Sequence, residues 1–179
     1  EAGSEHAVAS TYYQFLEISV RELLIEKGVL SVEDIRNAVE EMDSRGPELG
    51  AQVVARAWVD PQFKQSLLQD ATAAVKALGI DIGPLQLLVV ENTTEVHNLI
   101  VCTLCSCYPR TLLGLPPDWY KSREYRSRAV REPRAVLREF GTDIPDEVEV
   151  RVHDSTADLR YLVLPQRPAG TGHLSEDEL

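Results

Sequence analysis

The chain contains three cysteines, and all of them lie in one hexapeptide, Cys102-Thr103-Leu104-Cys105-Ser106-Cys107. Thiolates at C-x-x-C-x-C spacing can bind a single metal ion. If Cys105 and Cys107 bind the same ion, the amide nitrogens of Ser106 and Cys107 lie between the two sulfurs and can close fused chelate rings. The spacing therefore predicts a planar N2S2 claw with Cys102 to one side of it, which differs from the tetrahedron that zinc prefers.

The same cysteines allow other interpretations. A structural zinc site needs a fourth ligand, for which His97 is the candidate. An iron–sulfur cluster needs a fourth ligand that the chain does not offer as cysteine. A catalytic thiol needs only one of the three cysteines. The sharper interpretation is a low-spin trivalent cobalt or iron ion, held by three sulfurs and two amides, that acts as a Lewis acid on a nitrile or on water.

The composition limits the classes of partner. The chain has 179 residues, 44% of them hydrophobic, which suffices for one domain or for an arm and a domain. A net charge of −11 disfavours nucleic acid and anionic membranes as partners. No apolar run approaches a membrane span, no signal peptide is visible, and cysteines confined to one hexapeptide do not form a disulfide framework. We expect a cytoplasmic location.

The first 80 residues are predicted to form helices, because their apolar positions recur at three- and four-residue spacing. A first helix ends at Gly28, and Ser31 begins a second with a capping box. Asp60-Pro61 begins a helix whose apolar face covers residues 63–78. These helices show several apolar faces and no core of their own. We therefore predict that residues 1–80 form a helical arm that packs on a partner subunit.

The period changes after residue 80, where strands and short helices are predicted. Leu85–Glu91 forms a strand, and a second apolar stretch, Val96–Val101, leads directly into the cysteines. Residues 147–164 alternate, turn and return, which predicts a hairpin. The tail from Pro165 onward is predicted to be a surface arm or disordered. The fold class is α+β, with a layered α/β metal-binding domain over residues 81–179 after the arm.

The octapeptide Val101–Tyr108 resembles the metal loop of the nitrile hydratase alpha subunit, in the form associated with cobalt. The iron form usually has Ser in place of Thr103. The resemblance extends from about residue 20 to the end of the chain. Other matching segments are Arg21–Gly28, Gly46-Pro47, Gly50-Ala51, Val54–Trp58, Gly114–Lys121, Tyr125–Arg128, Arg131–Arg134, Leu162–Pro165 and Arg167–Thr171.

This resemblance implies a hydro-lyase that converts a nitrile to an amide at a Co(III) centre, one per chain, with cobalt rather than iron. It makes Cys102 the axial thiolate, Cys105 a sulfinic acid and Cys107 a sulfenic acid. The amides of Ser106 and Cys107 become the in-plane nitrogens, and Cys105, Ser106 and Cys107 take the catalytic positions. The resemblance leaves open whether the nucleophile is the Cys107 sulfenate oxygen or a metal-bound hydroxide.

The resemblance also implies partner proteins. In the family the site lies at the interface with a beta subunit, a single or split chain, whose arginines hold the oxidised sulfurs. We expect a heterodimer or a larger hetero-oligomer, matured by a metallochaperone or activator, that takes a small nitrile substrate. The alternatives are the metal-binding subunit of thiocyanate hydrolase, which has the same loop, and a non-catalytic zinc-binding subunit.

One departure from the family pattern lies beside the loop. The family commonly has Trp-Pro where this chain has Arg110-Thr111, next to Tyr108. These three residues are predicted to line the substrate pocket. Loss of an indole there favours a bulky or polar nitrile, such as a nucleoside-like heteroaromatic one, and it keeps the thiocyanate hydrolase alternative open.

A basic segment follows the loop, with seven Lys or Arg between Trp119 and Arg138 in an otherwise acidic chain. The segment can compensate the charge of an anionic metal centre, or its cations can form ordinary surface ion pairs. His97 can support the metal loop, although a structural role is more common for such a residue.

Overall fold

The chain divides into two compact units, one that ends at Ser44 and one that spans Arg45–Leu179. The computed structural model describes the backbone of residues 2–179 and the side chains from residue 12 onward. The boundary expected after residue 80 falls inside the second unit, because the helices before that position share a core with the strands after it.

Two helices make up the described part of the N-terminal unit, α1 (Ala2–Glu26) and α2 (Val32–Asp43). Gly28 ends α1 with a φ of 65°, and its N–H donates to the Ile25 carbonyl at 3.0 Å. The Ser31 hydroxyl accepts the Asp34 N–H at 3.0 Å, and the Asp34 carboxylate accepts the Ser31 N–H at 2.9 Å. This capping box begins α2, so both predicted boundaries are confirmed.

Three helices open the second unit, α3 (Glu48–Val59), α4 (Pro61–Gln69) and α5 (Ala71–Ala77). The Asp60 carboxylate accepts the N–H groups of Gln62 and Phe63 and so begins α4. The Asp70 N–H closes α4 on the Ser66 carbonyl, while its carboxylate accepts the Ala73 N–H and begins α5. The single helix predicted over residues 63–78 is therefore wrong, because Asp70 ends one helix and caps the next.

Four strands form two parallel pairs: β1 (Gln86–Glu91), β2 (Val96–Val101), β3 (Glu149–Asp154) and β4 (Leu159–Leu164). β1 pairs with β4, placing Leu88 opposite Tyr161, and β2 pairs with β3, placing Leu99 opposite Val152. The predicted hairpin over residues 147–164 is wrong, because β3 and β4 each pair with an earlier strand. Parallel partners need long crossover connections, which local sequence patterns do not reveal.

Four short helices form the connection between β2 and β3: α6 (Arg110–Leu113), α7 (Asp118–Lys121), α8 (Arg123–Arg131) and α9 (Pro133–Glu139). Gly114 ends α6 with a φ of 72°, and a Cβ at this position would lie 2.6 Å from the Arg45 carbonyl oxygen. Only glycine permits this approach, which brings residue 45 next to the segment that follows the cysteines.

Each strand pair has its own apolar core. α3–α5 pack on the β1–β4 pair through residues such as Val53, Leu67 and Leu162. α7–α9 pack on the β2–β3 pair through Tyr120 and Tyr125, among others. The α+β class with layered helices and strands is therefore confirmed, and the hexapeptide leaves β2 directly beside the second core.

The C-terminal tail is held on α3. The Arg167 guanidinium donates to the carbonyls of Trp58 at 3.1 Å and Leu174 at 3.0 Å, and the Trp58 indole N–H donates to the Pro165 carbonyl at 2.7 Å. The tail ends in a 3₁₀ turn, Glu176–Glu178. Of the two alternatives expected for this tail, a surface arm or disorder, the structure shows the ordered surface segment, because main-chain hydrogen bonds fix it.

Candidate metal centre

The three thiols of the hexapeptide lie together immediately after β2. Their sulfur atoms lie within 4.8 Å of one another, with Cys102 Sγ 3.4 Å and Cys107 Sγ 3.1 Å from Cys105 Sγ. Cys102 and Cys107 are buried against the protein, whereas Cys105 is exposed. The loop therefore holds two sulfurs on the core and presents the third outward.

The backbone of the loop turns its amides toward the sulfurs. The Cys105 N–H donates to Cys102 Sγ at 3.3 Å, and the backbone amides of Ser106 and Cys107 lie near enough to Cys105 to lower the pKa of its thiol. Thiolates and amide nitrogens thus converge on one small volume within three successive residues. This donor set fits a metal ion that accepts soft sulfur and in-plane nitrogen ligands.

The surroundings of Cys105 and Cys107 shift the pKa values of their two thiols in opposite directions. Hydrogen bonds from the thiols of Cys107 and Cys102, and from backbone amides, lower the pKa of Cys105 to about 7. Burial, followed by the hydrogen bonds to its two neighbouring thiols, raises the pKa of Cys107 to about 12. The exposed sulfur is therefore the first to become a thiolate, which is the form that binds metal.

Asp154, at the end of β3, fixes the first turn of the loop. Its carboxylate accepts the Thr103 N–H at 2.9 Å and the Thr103 hydroxyl at 2.6 Å. On the other side, the Arg126 guanidinium donates to the Thr103 carbonyl at 3.4 Å. Three polar contacts from two elements thus hold the residue that follows Cys102.

Two buried phenols support the loop from the helical side. The Tyr120 hydroxyl donates to the Cys107 carbonyl at 2.9 Å, and the Tyr125 hydroxyl donates to the Ile100 carbonyl at 2.6 Å. Burial raises the pKa of Tyr120 and raises the pKa of Tyr125 to about 12, so both phenols stay protonated donors at neutral pH. These contacts fix the two ends of the cysteine segment on the second core.

A concavity of about 450 Å³ opens over the exposed side of the loop. It is lined by Arg45, Ile82, Leu85, Cys105, Ser106, Cys107, Tyr108, Arg110, Thr111 and Arg160. The residues predicted to line a substrate pocket thus share one hollow with two of the three cysteines. Three arginines also line it, so the hollow favours negative charge in a chain whose net charge is −11.

The sequence interpretation missed Asp154, Arg45 and Arg160 as neighbours of this site. Arg160 carried a usable signal, because it occupies the same face of β4 as the buried Leu162 and Leu164. A charged residue at an inward position of a strand usually has a partner or a function. Arg45 and Asp154 reach the site only through tertiary structure.

His97 lies apart from the thiol group. Its Nδ1 faces the Asn92 amide nitrogen at 3.4 Å, and burial lowers its pKa. Among the described residues, the groups that could hold a metal contain the three cysteines without this histidine. A zinc site completed by His97 is therefore not assembled in this fold.

The basic segment forms surface ion pairs and hydrogen bonds to main-chain carbonyls. Arg128 pairs with Glu132 at 2.6 Å and Glu139 at 2.6 Å, which is ordinary surface pairing. Arg134 donates to main-chain carbonyls, including those of Ile144 and Pro145 at 3.1 Å. Arg126 alone of these three contacts the metal loop.

In the region that the structure describes, no helix is long and apolar enough to cross a membrane.

Comparison with known proteins agrees with this geometry. The family model "Nitrile hydratase, alpha chain" matches residues 11–179. The low-molecular-weight cobalt-containing nitrile hydratase subunit alpha of Rhodococcus rhodochrous is 53% identical over 165 residues, covering 90% of this chain and 79% of the relative. Thiocyanate hydrolase subunit gamma of Thiobacillus thioparus is 44% identical over 179 residues, covering 93% and 74% respectively.

Solved structures show the same relationship. A double mutant of the Fe-type nitrile hydratase from Comamonas testosteroni Ni1 superimposes with a TM-score of 0.87 at 42% identity, covering 94% of this chain and 82% of that chain. The matched length, the identities and the cysteine loop together place the protein: the chain belongs to the nitrile hydratase alpha chain family.

Proposed function

We propose that this chain is the metal-bearing alpha subunit of a cobalt nitrile hydratase, which adds water to a nitrile to give the corresponding amide. The observation that carries the proposal is the convergence of three thiols within 4.8 Å, with the Ser106 and Cys107 amides turned toward them, at the floor of an open hollow. The naming of the Rhodococcus relative as cobalt-containing supports cobalt over iron.

The donor set supports a role for each proposed ligand. Buried Cys102, together with Cys105, Cys107 and the amides of Ser106 and Cys107, would hold the ion beside the hollow. When bound, Co(III) supplies a Lewis acid that polarises the nitrile and lowers the pKa of water. The open side of the hollow leaves room for a substrate at that face.

We propose that Cys105 matures to a sulfinic acid and Cys107 to a sulfenic acid. Both atoms of one dioxygen molecule add to the Cys105 thiolate, a four-electron oxidation that gives the sulfinate, whereas hydrogen peroxide transfers one oxygen atom to Cys107 in a two-electron step and leaves as water. The exposure of Cys105 and its thiolate character make it the more easily oxidised sulfur. The Ser106, Tyr108 and Thr111 side chains then line the space for the nitrile and for the water that it consumes.

A partner chain completes the site. The hollow is open, and the relatives are named as subunits of larger enzymes. We propose a beta subunit, as a single or split chain, in a heterodimer or larger hetero-oligomer, with a metallochaperone or activator that loads the ion in the cytoplasm. The exposed apolar side chains of α1, such as Tyr12 and Phe15, support such a partner.

The proposal is tested on the native complex by metal analysis, peptide mass spectrometry and nitrile turnover. We expect one cobalt per chain, a mass gain of two oxygens on Cys105 and one on Cys107, and conversion of a nitrile to its amide. Stoichiometric zinc with unmodified thiols would establish the non-catalytic alternative. Cobalt with oxidised cysteines but no nitrile turnover would reject the substrate class alone.

Thiocyanate hydrolysis is the second candidate, because three arginines line the hollow where the substrate binds. Arg110 replaces the tryptophan common in the family, and a guanidinium attracts an anion such as thiocyanate. Turnover of thiocyanate and of a neutral nitrile by the same complex separates the candidates. We expect kcat/KM for the nitrile to be higher, and the reverse order would select thiocyanate hydrolase.

Arg110 and Thr111 also bear on substrate size. An arginine offers polar donors where an indole would occupy apolar volume, so we propose that the enzyme prefers bulky or polar heteroaromatic nitriles. The R110W variant provides the matched test. It should lower kcat/KM for a heteroaromatic nitrile relative to acrylonitrile. A wild-type preference for acrylonitrile would contradict this specificity.

A further inference from the structure

Arg160 has a buried donor that the described structure does not satisfy. Its Nη1 donates to the carbonyls of Thr156, Ala157 at 3.0 Å and Leu159 at 3.3 Å. Its Nε is buried and has no hydrogen-bond partner among the described residues. A buried N–H of a charged group costs free energy when it lacks an acceptor, so this atom requires an explanation.

The position of Arg160 supplies that explanation. Two other buried side-chain atoms of the described residues lack partners, Arg56 Nε and Ser155 Oγ, but neither residue lines the hollow above the cysteines. Arg160 does line it, together with Cys105, Ser106 and Cys107. Its positive charge also acts on Cys107, where it opposes the effect of burial on the thiol pKa.

We propose that Arg160 is a positioning residue whose Nε–H donates to the oxygen of oxidised Cys107, so that this chain supplies its own cation to the modified sulfur. The inference rests on the proposed function, which places one oxygen on that sulfur. Anchoring of Nη1 by three carbonyls fixes the guanidinium in advance, so that little side-chain entropy is lost when the oxygen is bound. A charge-assisted N–H···O⁻ bond of this kind is stronger than a neutral one.

In this proposal an arginine of the chain itself binds an oxygen of the oxidised cysteines, in addition to any arginines of a partner subunit. Arginines of a partner reach the site only after assembly, whereas Arg160 belongs to β4 and is present as soon as the chain folds. The oxidised loop is therefore stabilised in part before the beta subunit binds. The residue acts on the reaction through Cys107, by holding its oxygen in one orientation.

Arg134 provides a matched control for a purely structural arginine. It also holds loop carbonyls, those of Ile144, Pro145 and Val148, but it does not line the hollow. R160Q and R134Q each remove a guanidinium that fixes a loop. Only R160Q removes a donor beside Cys107. R160K keeps a cation but loses the planar donor fork, and it serves if R160Q does not fold.

The experiment compares these variants and the wild type as cobalt-loaded complexes, by peptide mass spectrometry of Cys107, sulfenate trapping and nitrile kinetics. In R160Q, and to a smaller extent in R160K, we expect a lower fraction of singly oxygenated Cys107 and a kcat reduced by about 10- to 100-fold. R134Q should retain both values. An oxygenated fraction in R160Q or R160K equal to that of R134Q would overturn the inference, whereas absence of oxygenated Cys107 in the wild type would reject the proposed maturation itself.

Discussion

The two compact units of this chain treat their apolar residues in opposite ways. The second unit buries Leu67 and Leu164, at 0% and 1% exposure, between its helices and strands. In the N-terminal unit, Tyr12 and Phe15 are 63% and 65% exposed, and α2 contains no buried residue. The second unit therefore contains the contacts that build the metal loop. The N-terminal unit presents an apolar surface of the kind that another chain covers.

The strongest test of this contrast uses Cys102, the proposed ligand that the second unit buries most deeply. C102A removes a thiol whose surroundings belong to that unit alone. We expect cobalt affinity to fall by more than about 100-fold, because loss of a residue that only supports a ligand already lowers metal affinity by up to about 100-fold. L104A, which alters the 87% exposed neighbour, should keep one cobalt per chain. Stoichiometric cobalt in C102A would show that this sulfur is not a ligand.

Two leucine variants, one in each unit, test the contrast through their effects on the free energy of unfolding. In urea unfolding of the isolated chain, L67A should lower the free energy of unfolding by about 2–5 kcal/mol, because it leaves a cavity in the core. L23A, at a side chain 48% exposed, should change it by less than about 0.5 kcal/mol. Association with the proposed beta subunit should be weakened by L23A. A large loss of stability in L23A with unchanged association would reverse the roles assigned to the two units.

Asp154 tests how much of the loop geometry comes from β3. D154A removes acceptors for the Thr103 N–H and hydroxyl, so we expect cobalt affinity to fall by about 10- to 100-fold. D118N provides the comparison, since it breaks only an exposed contact between Asp118 and Lys121. Equal cobalt affinity in the two variants would mean that the thiols hold their arrangement without Asp154.

Lowering the pH should give the smallest effect, and it should destabilise a helix of the N-terminal unit before a helix of the second unit. Hydrogen bonds from the Ser31 hydroxyl and N–H lower the pKa of Asp34, and those from the Phe63 and Gln62 N–H groups lower the pKa of Asp60. A lowered folded pKa stabilises the fold above pH 3.8, and this contribution is lost as the pH falls through the folded value. NMR chemical shifts below pH 3.8 should show α2 fraying while the core holds α4. Simultaneous loss of both helices would contradict the contrast.

Local signals predicted the parts of the fold that local interactions determine. Gly28 predicted the end of α1, Ser31 predicted the start of α2, and the spacing of the three cysteines predicted that their sulfur atoms lie together. Asp70 was overlooked because the apolar period continues through it while its carboxylate caps a new helix. The β3–β4 hairpin was wrong because the true partners lie far away in sequence. Arg160 and Asp154 approach the site through those same pairings.

The parallel pairing of β2 with β3 also sets an order of events during synthesis. Thr103 precedes Asp154 by 51 residues, so the cysteine loop leaves the ribosome well before the carboxylate that fixes it. At about 5–20 residues per second, the three thiols remain without this anchor for roughly 3–10 s. During that interval the loop can exchange thiols or bind the wrong ion. Delivery of the metal to a finished chain, rather than to a growing one, would place the ion in a loop that Asp154 already fixes.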